Sequence, residues 1–246
     1  MILTALQKIN VEEGSILLIN KPLRWTSFDV INKLKYEIKT ITGHKKIKIG
    51  HAGTLDPLAT GLLIVCVGKY TKKIAEFQNL DKRYTGTFTV GATTKSYDLE
   101  HLPENFLPYN HLTLEDVKKA CAQLTGNIFQ TPPAYSAIKL KGKSAFEYAR
   151  QNKEINLKPK KVTIFSFDIT RFSLPEIDFE IHCSKGTYIR SIANDLGKTL
   201  GCGAYLSSLC RTQIGSFNIS EAHDFSPLIN EDKIKKNATK KRNFEL

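Results

Sequence analysis

In the stretch KIGHAGTLDPLATGLLIVCVGKYT, from Lys48 to Thr71, Asp56 is the one acidic residue. An aspartate before a proline on a glycine-containing loop is ordinarily a turn residue whose carboxylate bonds its own backbone. A second chemistry is open to it. Held ionised by an opposite charge in a partly dehydrated pocket, a carboxylate acts as a covalent nucleophile or general base without any cofactor. Gly50, Gly53 and Gly61 allow tight turns and close approach of a bulky partner around it. The chain carries 36 Lys plus Arg against 24 Asp plus Glu, a formal charge of +12, which favours a polyanionic partner such as nucleic acid or an anionic membrane surface. A basic balance is equally met by a solvated surface. If the partner is a nucleic acid, His51 offers an edge that can stack on or wedge beside a base.

Other chemistries fail on spacing. A phosphate-binding loop needs Gly, four residues, then Gly-Lys-Ser/Thr. Six residues separate Gly61 from Gly68, and Lys69 is followed by Tyr70; before Gly142-Lys143-Ser144 the required glycine position holds Ala137. No G-x-S-x-G elbow occurs, and the six histidines lack metal-ligand spacing. The five cysteines are scattered with no C-x-x-C pair, which argues for reduced, mostly buried thiols rather than disulfides or a closed zinc site. The longest apolar run, Leu62 to Val67, is far short of the roughly 20 residues that span a bilayer. The first residues do not read as a signal peptide, so a cytoplasmic protein is expected.

The elements that must position Asp56 are visible in outline. Ile16 to Ile19 reads as a buried strand stopped by Asn20 and Pro22. A helix follows, capped by Thr26 or Ser27, with Val30, Ile31, Leu34 and Ile38 at helical spacing. TGHKKIKIG reads as a loop and Gly61 to Gly68 as a buried strand, which puts Asp56 on a loop ahead of a central strand. Arg83 to Gly91 alternates as a half-buried strand. A helix capped by Thr113, with Asp116 three residues on, ends at Gly126. The proline-rich segment of about 131–161, with a Lys-Gly turn and a short helix from Ser144 to Arg150, suits a projecting arm. KKVTIFSFDITRF and EIDFEIHCSKG are strands, TYIRSIANDLGKTLG is a helix ended by Gly201, and the tail from Glu231 is basic and polar. The reading is one α/β (α+β) catalytic domain over 15–225, with an N-terminal extension over 1–14 and a basic tail over 226–246.

Six blocks, in order, carry a resemblance: LLINKP with TSFDV, GHAGTLDPLATGLL, DKRYTGTFTVG, PPAYSAIKLKGKSAFEYAR, CSKGTYIRSIANDLGKTLGCGA and LCRTQIG. Spanning roughly residues 15 to 217, the chain resembles the TruB family of tRNA pseudouridine-55 synthases. The resemblance implies a pseudouridine synthase fold, a mixed and largely antiparallel sheet flanked by helices, with an inserted RNA-binding arm. It implies that Asp56 attacks uridine 55 of the tRNA T-arm, whose base is detached, rotated and rejoined through C5 with no metal or cofactor. Tyr84 matches the tyrosine that stacks on the flipped base. Tyr188 and Arg190 match the second pocket tyrosine and the arginine that pairs with the nucleophile. His51 matches the histidine that takes the space the base vacates, Leu209 the apolar residue packed there, and Lys21, with Pro22, a supporting block at which a phosphate contact is open. Read without the family, Tyr84, Tyr188 and Leu209 are equally ordinary strand, helix and core residues, and Arg190 a helix residue facing solvent. The expected protein is a cytoplasmic monomer whose partner is tRNA, without metal or membrane.

Three departures accompany the match. Arg24 stands where the family usually has glycine, so a turn of different shape is expected. ATTKSYDLEH replaces a run ending in Asp-x-x-Gly, leaving that loop's RNA contacts open. The C-terminal RNA-binding (PUA) domain of many bacterial members is expected to be lacking, so binding would rest on the cleft, the arm and the basic stretch Lys233 to Arg242. Two rival readings remain: a non-catalytic tRNA-binding or RNA chaperone protein, and a related synthase with a different RNA target.

Overall fold

The computed structural model describes residues 2–136, 138–140, 142–151, 153 and 155–229. The strands are β1 Ser15–Lys21, β2 Ile49–His51, β3 Ala59–Val67, β4 Lys82–Val90, β5 Gly126–Gln130, β6 Lys139–Leu140, β7 Lys143–Ser144, β8 Lys160–Ser173, β9 Glu176–Cys183, β10 Ala204–Ile214, β11 Phe217–Asn218 and β12 His223–Asp224. The helices are α1 Ile2–Gln7, α2 Ser27–Thr42, α3 Ile74–Asn79, α4 Leu114–Gln123, α5 Ala145–Ala149 and α6 Ile189–Leu200. No described helix is long and apolar enough to cross a membrane. The basic tail from Lys233 to Arg242 lies outside the described residues.

The chain divides into two compact units, Met1–Ala75 with Ile219–Leu246, and Glu76–Asn218. In the first, β1 pairs antiparallel with β3 from Ser15↔Val67 to Lys21↔Gly61, β2 pairs antiparallel with β3, and β12 pairs parallel with β1. Its core joins α1 through Ile2 and Leu6, α2 through Val30, Ile31, Leu34 and Ile38, and the inner faces of β1 and β3. Trp25 meets Phe225 edge to face, with ring centroids 5.4 Å apart. Thr26 caps α2 as the sequence suggests, its hydroxyl accepting from Asp29 N while the Asp29 carboxylate accepts from Thr26 N.

In the second unit β4 pairs antiparallel with both β10 and β9, β9 with β8, and β8 with β5. The architecture is therefore mixed α+β with a mostly antiparallel sheet. Phe88 stacks on Phe179 at 4.0 Å between centroids, and Phe167 meets both edge on. α4 begins at a Thr113/Asp116 capping box, but it ends at Gln123 rather than Gly126; Gly126, at φ 89, opens β5 instead. Strands β5 and β10 are absent from the sequence reading. β5 is five residues directly behind a helix, and β10 carries two bulges that break its alternation. In the arm, β6 and β7 form a two-stranded hairpin ahead of α5, whose N-cap Ser144 forms a capping box with Glu147.

All five cysteines are free, Cys210 half-buried and the rest buried. Burial pushes the Cys66 thiol up to about 11 and Cys121 and Cys183 to about 12, so none of these three is a ready nucleophile.

Candidate active site

Asp56 lies on the 52–58 loop between β2 and β3, half-buried, and the neighbouring backbone is held on both sides. The Ser27 hydroxyl, buried in the first turn of α2, accepts from Leu55 N at 2.9 Å and donates to Leu55 O at 3.2 Å. Beyond Asp56, the Pro57 carbonyl accepts from Arg24 N at 2.7 Å, and the Asp56 carbonyl accepts from Ala59 N at 3.1 Å. A buried peptide group left unpaired costs about 1–3 kcal/mol, so these bonds fix the loop.

The Pro22–Trp25 turn that meets Pro57 is itself closed from behind. Lys21 is wholly buried at the end of β1, and its ammonium donates to Pro22 O at 3.0 Å and Trp25 O at 2.6 Å. Arg24 sits in that turn at φ 65, the left-handed region a glycine enters freely and another residue only at about 1–2 kcal/mol. The turn thus keeps a glycine-like backbone with an arginine in it. His51 is on β2 opposite Val65, half-buried, five residues before Asp56.

In the second unit, Tyr84 is a buried residue of β4, paired with Arg211 of β10 and Ile181 of β9. Leu209 lies on β10 opposite Gly86 and is half-buried. Tyr188 is the residue before α6, and its peptide is bracketed by Gln130 at the end of β5: Tyr188 N donates to Gln130 Oε1 at 2.8 Å, and Gln130 Nε2 donates to Tyr188 O at 3.1 Å. Arg190 follows in the first turn of α6. It is 4% exposed and so does not face solvent.

Its guanidinium joins three segments. Nη1 donates to Ser96 O at 3.2 Å and Tyr135 O at 3.0 Å, and Nε lies 3.7 Å from an Asp98 carboxylate oxygen. Asp98, also buried, accepts from the Ser96 hydroxyl at 2.6 Å and Glu100 N at 2.9 Å. The backbone closes the 93–104 loop through reciprocal Thr93–Glu104 bonds of 2.8 and 2.7 Å, with Tyr97 at φ 64. The segment whose role the sequence left open therefore directs a carboxylate inward onto Arg190, whose guanidinium also donates to Tyr135 O at the root of the arm.

Asp98 escaped the sequence reading because nothing local marks an acid that bonds a residue 92 positions away. Lys82 and Arg211, both buried, escaped it too. The Lys82 ammonium donates to Gln78 O at 2.7 Å and to Leu80 O. Burial, reinforced by the positive Arg211, brings Lys82 down to about 8. Among the described residues no group of three or more His, Cys, Asp or Glu side chains is placed to hold a metal ion.

This fold has solved counterparts. A chain in a crystal structure of a Cbf5-Nop10-Gar1 complex superposes with a TM-score of 0.65 at 24% identity, covering 88% of this chain and 53% of that one. A chain of the archaeal box H/ACA sRNP Nop10-Cbf5 complex gives 0.62 at 20% identity over 94% and 61%. The present chain thus spans little more than half the length of those neighbours, and at such identity the likeness is one of fold.

Sequence relatedness carries further. The profile of the TruB family pseudouridylate synthase (N terminal domain) matches residues 39–189, and that of the tRNA pseudouridylate synthase B C-terminal domain matches 190–242. Fold and sequence together define an enzyme of the pseudouridine synthase class. Curated relatives named tRNA pseudouridine synthase B occur in Flavobacterium johnsoniae, 52% identical over 215 residues (87% of this chain, 94% of the relative), and Chloroherpeton thalassium, 48% over 227 residues (92% of each). A third, from Phocaeicola vulgatus, is 47% identical over 213 residues, 87% of this chain and 91% of its own. The chain belongs to the TruB family of pseudouridylate synthases.

Proposed function

We propose that this protein converts uridine 55 in the T-arm of tRNA to pseudouridine, with Asp56 as the nucleophile. The observation that carries the reading is near full-length identity to relatives named tRNA pseudouridine synthase B, 52% over 94% of the Flavobacterium johnsoniae protein. The local geometry is compatible with it: a half-buried carboxylate on a loop whose backbone is clamped before and after the reacting residue.

In this reading the target base leaves its stack at a cost of a few kcal/mol, offset by contacts in the pocket. Tyr84 stacks on the base, an interaction worth about 1–3 kcal/mol. Tyr188 forms the second aromatic wall, Leu209 packs against the base, and His51 fills the space it vacates. Arg190 supplies the positive charge that keeps Asp56 ionised, and Asp98 orients Arg190. Lys21 acts from behind by closing the turn that supports the Asp56 loop. The enzyme is taken to work as a cytoplasmic monomer without cofactor.

The test is primer extension on a tRNA transcript after carbodiimide treatment, which marks pseudouridine. A stop at position 55 that needs the protein and disappears with Asp56→Ala supports the reading. A stop elsewhere moves the target, and a stop that persists with Asp56→Ala removes the nucleophile.

A further inference from the structure

We infer that Arg24 is an RNA-binding residue, pairing with a substrate phosphate beside the Asp56 loop; the inference rests on RNA being the substrate. Arg24 holds a left-handed backbone conformation, φ 65, that a side chain adopts only at a cost and that glycine would adopt without one. The surroundings impose this conformation: Arg24 N donates to Pro57 O at 2.7 Å, and the Lys21 ammonium ties Pro22 O and Trp25 O together behind the turn. The fold has no evident use for the side chain. Arg24 is exposed and makes no ion pair among the described residues, whereas the buried Arg190 donates to backbone carbonyls and lies beside Asp98.

What the side chain offers is a cation on a fixed platform, one backbone hydrogen bond from the residue after Asp56. Nearby in sequence, Leu23 and Phe28 are exposed apolar residues, at 51% and 67% exposure. A guanidinium is suited to bidentate contact with phosphate, and a turn locked at both ends presents it with little ordering left to do on binding. An RNA whose target nucleotide reaches Asp56 must bring its backbone close to this turn.

The test measures tRNA affinity from 50 to 200 mM KCl for the full chain, Arg24→Gly and Arg24→Lys, with pseudouridine formation by the parent assayed on the same transcript. Glycine suits φ 65, so that variant removes the cation without opposing the turn. The expected result is weaker binding by Arg24→Gly at 50 mM, a salt slope shallower by about 0.7–0.9, and a gap that narrows about threefold by 200 mM. Arg24→Lys keeps the parent's slope. If the parent binds and modifies the tRNA but Arg24→Gly matches it in both affinity and slope, the Arg24 assignment alone is overturned. If the parent neither binds nor modifies tRNA, the substrate reading fails and the assignment falls with it.

Discussion

The Asp56 loop and the first turn of α6 are held by opposite means. Around Asp56 the neighbouring backbone is fixed by neutral hydrogen bonds: one serine hydroxyl on both polar groups of Leu55, and peptide N–H groups on Pro57 O and Asp56 O. Around Arg190 they centre on a buried charge, drawing the 93–104 loop, through Ser96 and Asp98, and the more distant Tyr135 onto one guanidinium. Neutral bonds to backbone contribute modestly and fail gracefully. A buried charge that loses its partner is costly, because desolvation of the remaining ion is no longer offset. The second region should therefore be the more fragile and the more sensitive to pH.

The largest expected effect breaks the charged side. Asp98→Ala removes the buried carboxylate 3.7 Å from the buried Arg190 guanidinium, and is expected to destabilise the protein by about 3–5 kcal/mol. Urea denaturation measures it, and a loss below about 1 kcal/mol would show that Arg190 is held without Asp98. Asp98→Asn, which keeps the shape, separates lost charge from a lost side chain: its kcat should fall with little change in KM.

A second effect concerns Lys82. Its folded value of about 8 lies below the unfolded value of 10.5, so between these values the unfolded chain binds more protons. The penalty of burying the ammonium is fully present below pH 8 and is relieved as pH rises towards 10.5. Relative to Lys82→Met, the parent should gain up to about 3 kcal/mol across that window. Parallel stability profiles for the two proteins would mean that burial does not lower Lys82.

The smallest effect belongs to the neutral side. Ser27→Ala leaves both polar groups of Leu55 without the hydroxyl, at an expected cost of about 1–3 kcal/mol that is independent of pH from 6 to 9. Ser27→Thr, which keeps a hydroxyl, should recover part of the lost activity. A pH-dependent loss would contradict the neutral character of this clamp.

The same contrast governs what could be read from the chain. Around Asp56 the information is local: a lone acid among glycines, and a cap at Thr26 that places Ser27 in the first turn of α2. The capping boxes at Thr26 and Thr113 are likewise written in three-residue spacing, and the structure forms both. Arg190 was legible only by family likeness. Alone it looks like a solvent-facing helix residue, and its burial depends on a loop and an arm root distant in sequence. β10 was missed for a related reason, since Ser207 and Ser208 interrupt its apolar alternation at a bulge and its strand character shows only in its pairing, over most of its length with β4.

The central claim, that Asp56 drives isomerisation at uridine 55, is tested most directly by tritium release from a tRNA transcript labelled at C5 of uridine. The native protein, Asp56→Ala, and a transcript with cytidine at position 55 are compared, because joining the sugar to C5 must expel that hydrogen. About one equivalent is expected to be released by the native protein and none in either control, with tRNA binding by Asp56→Ala retained within a few fold. Release that survives Asp56→Ala would contradict the nucleophile, release that survives the cytidine change would contradict the site, and tight binding with no release from any tRNA would make the protein an RNA binder instead.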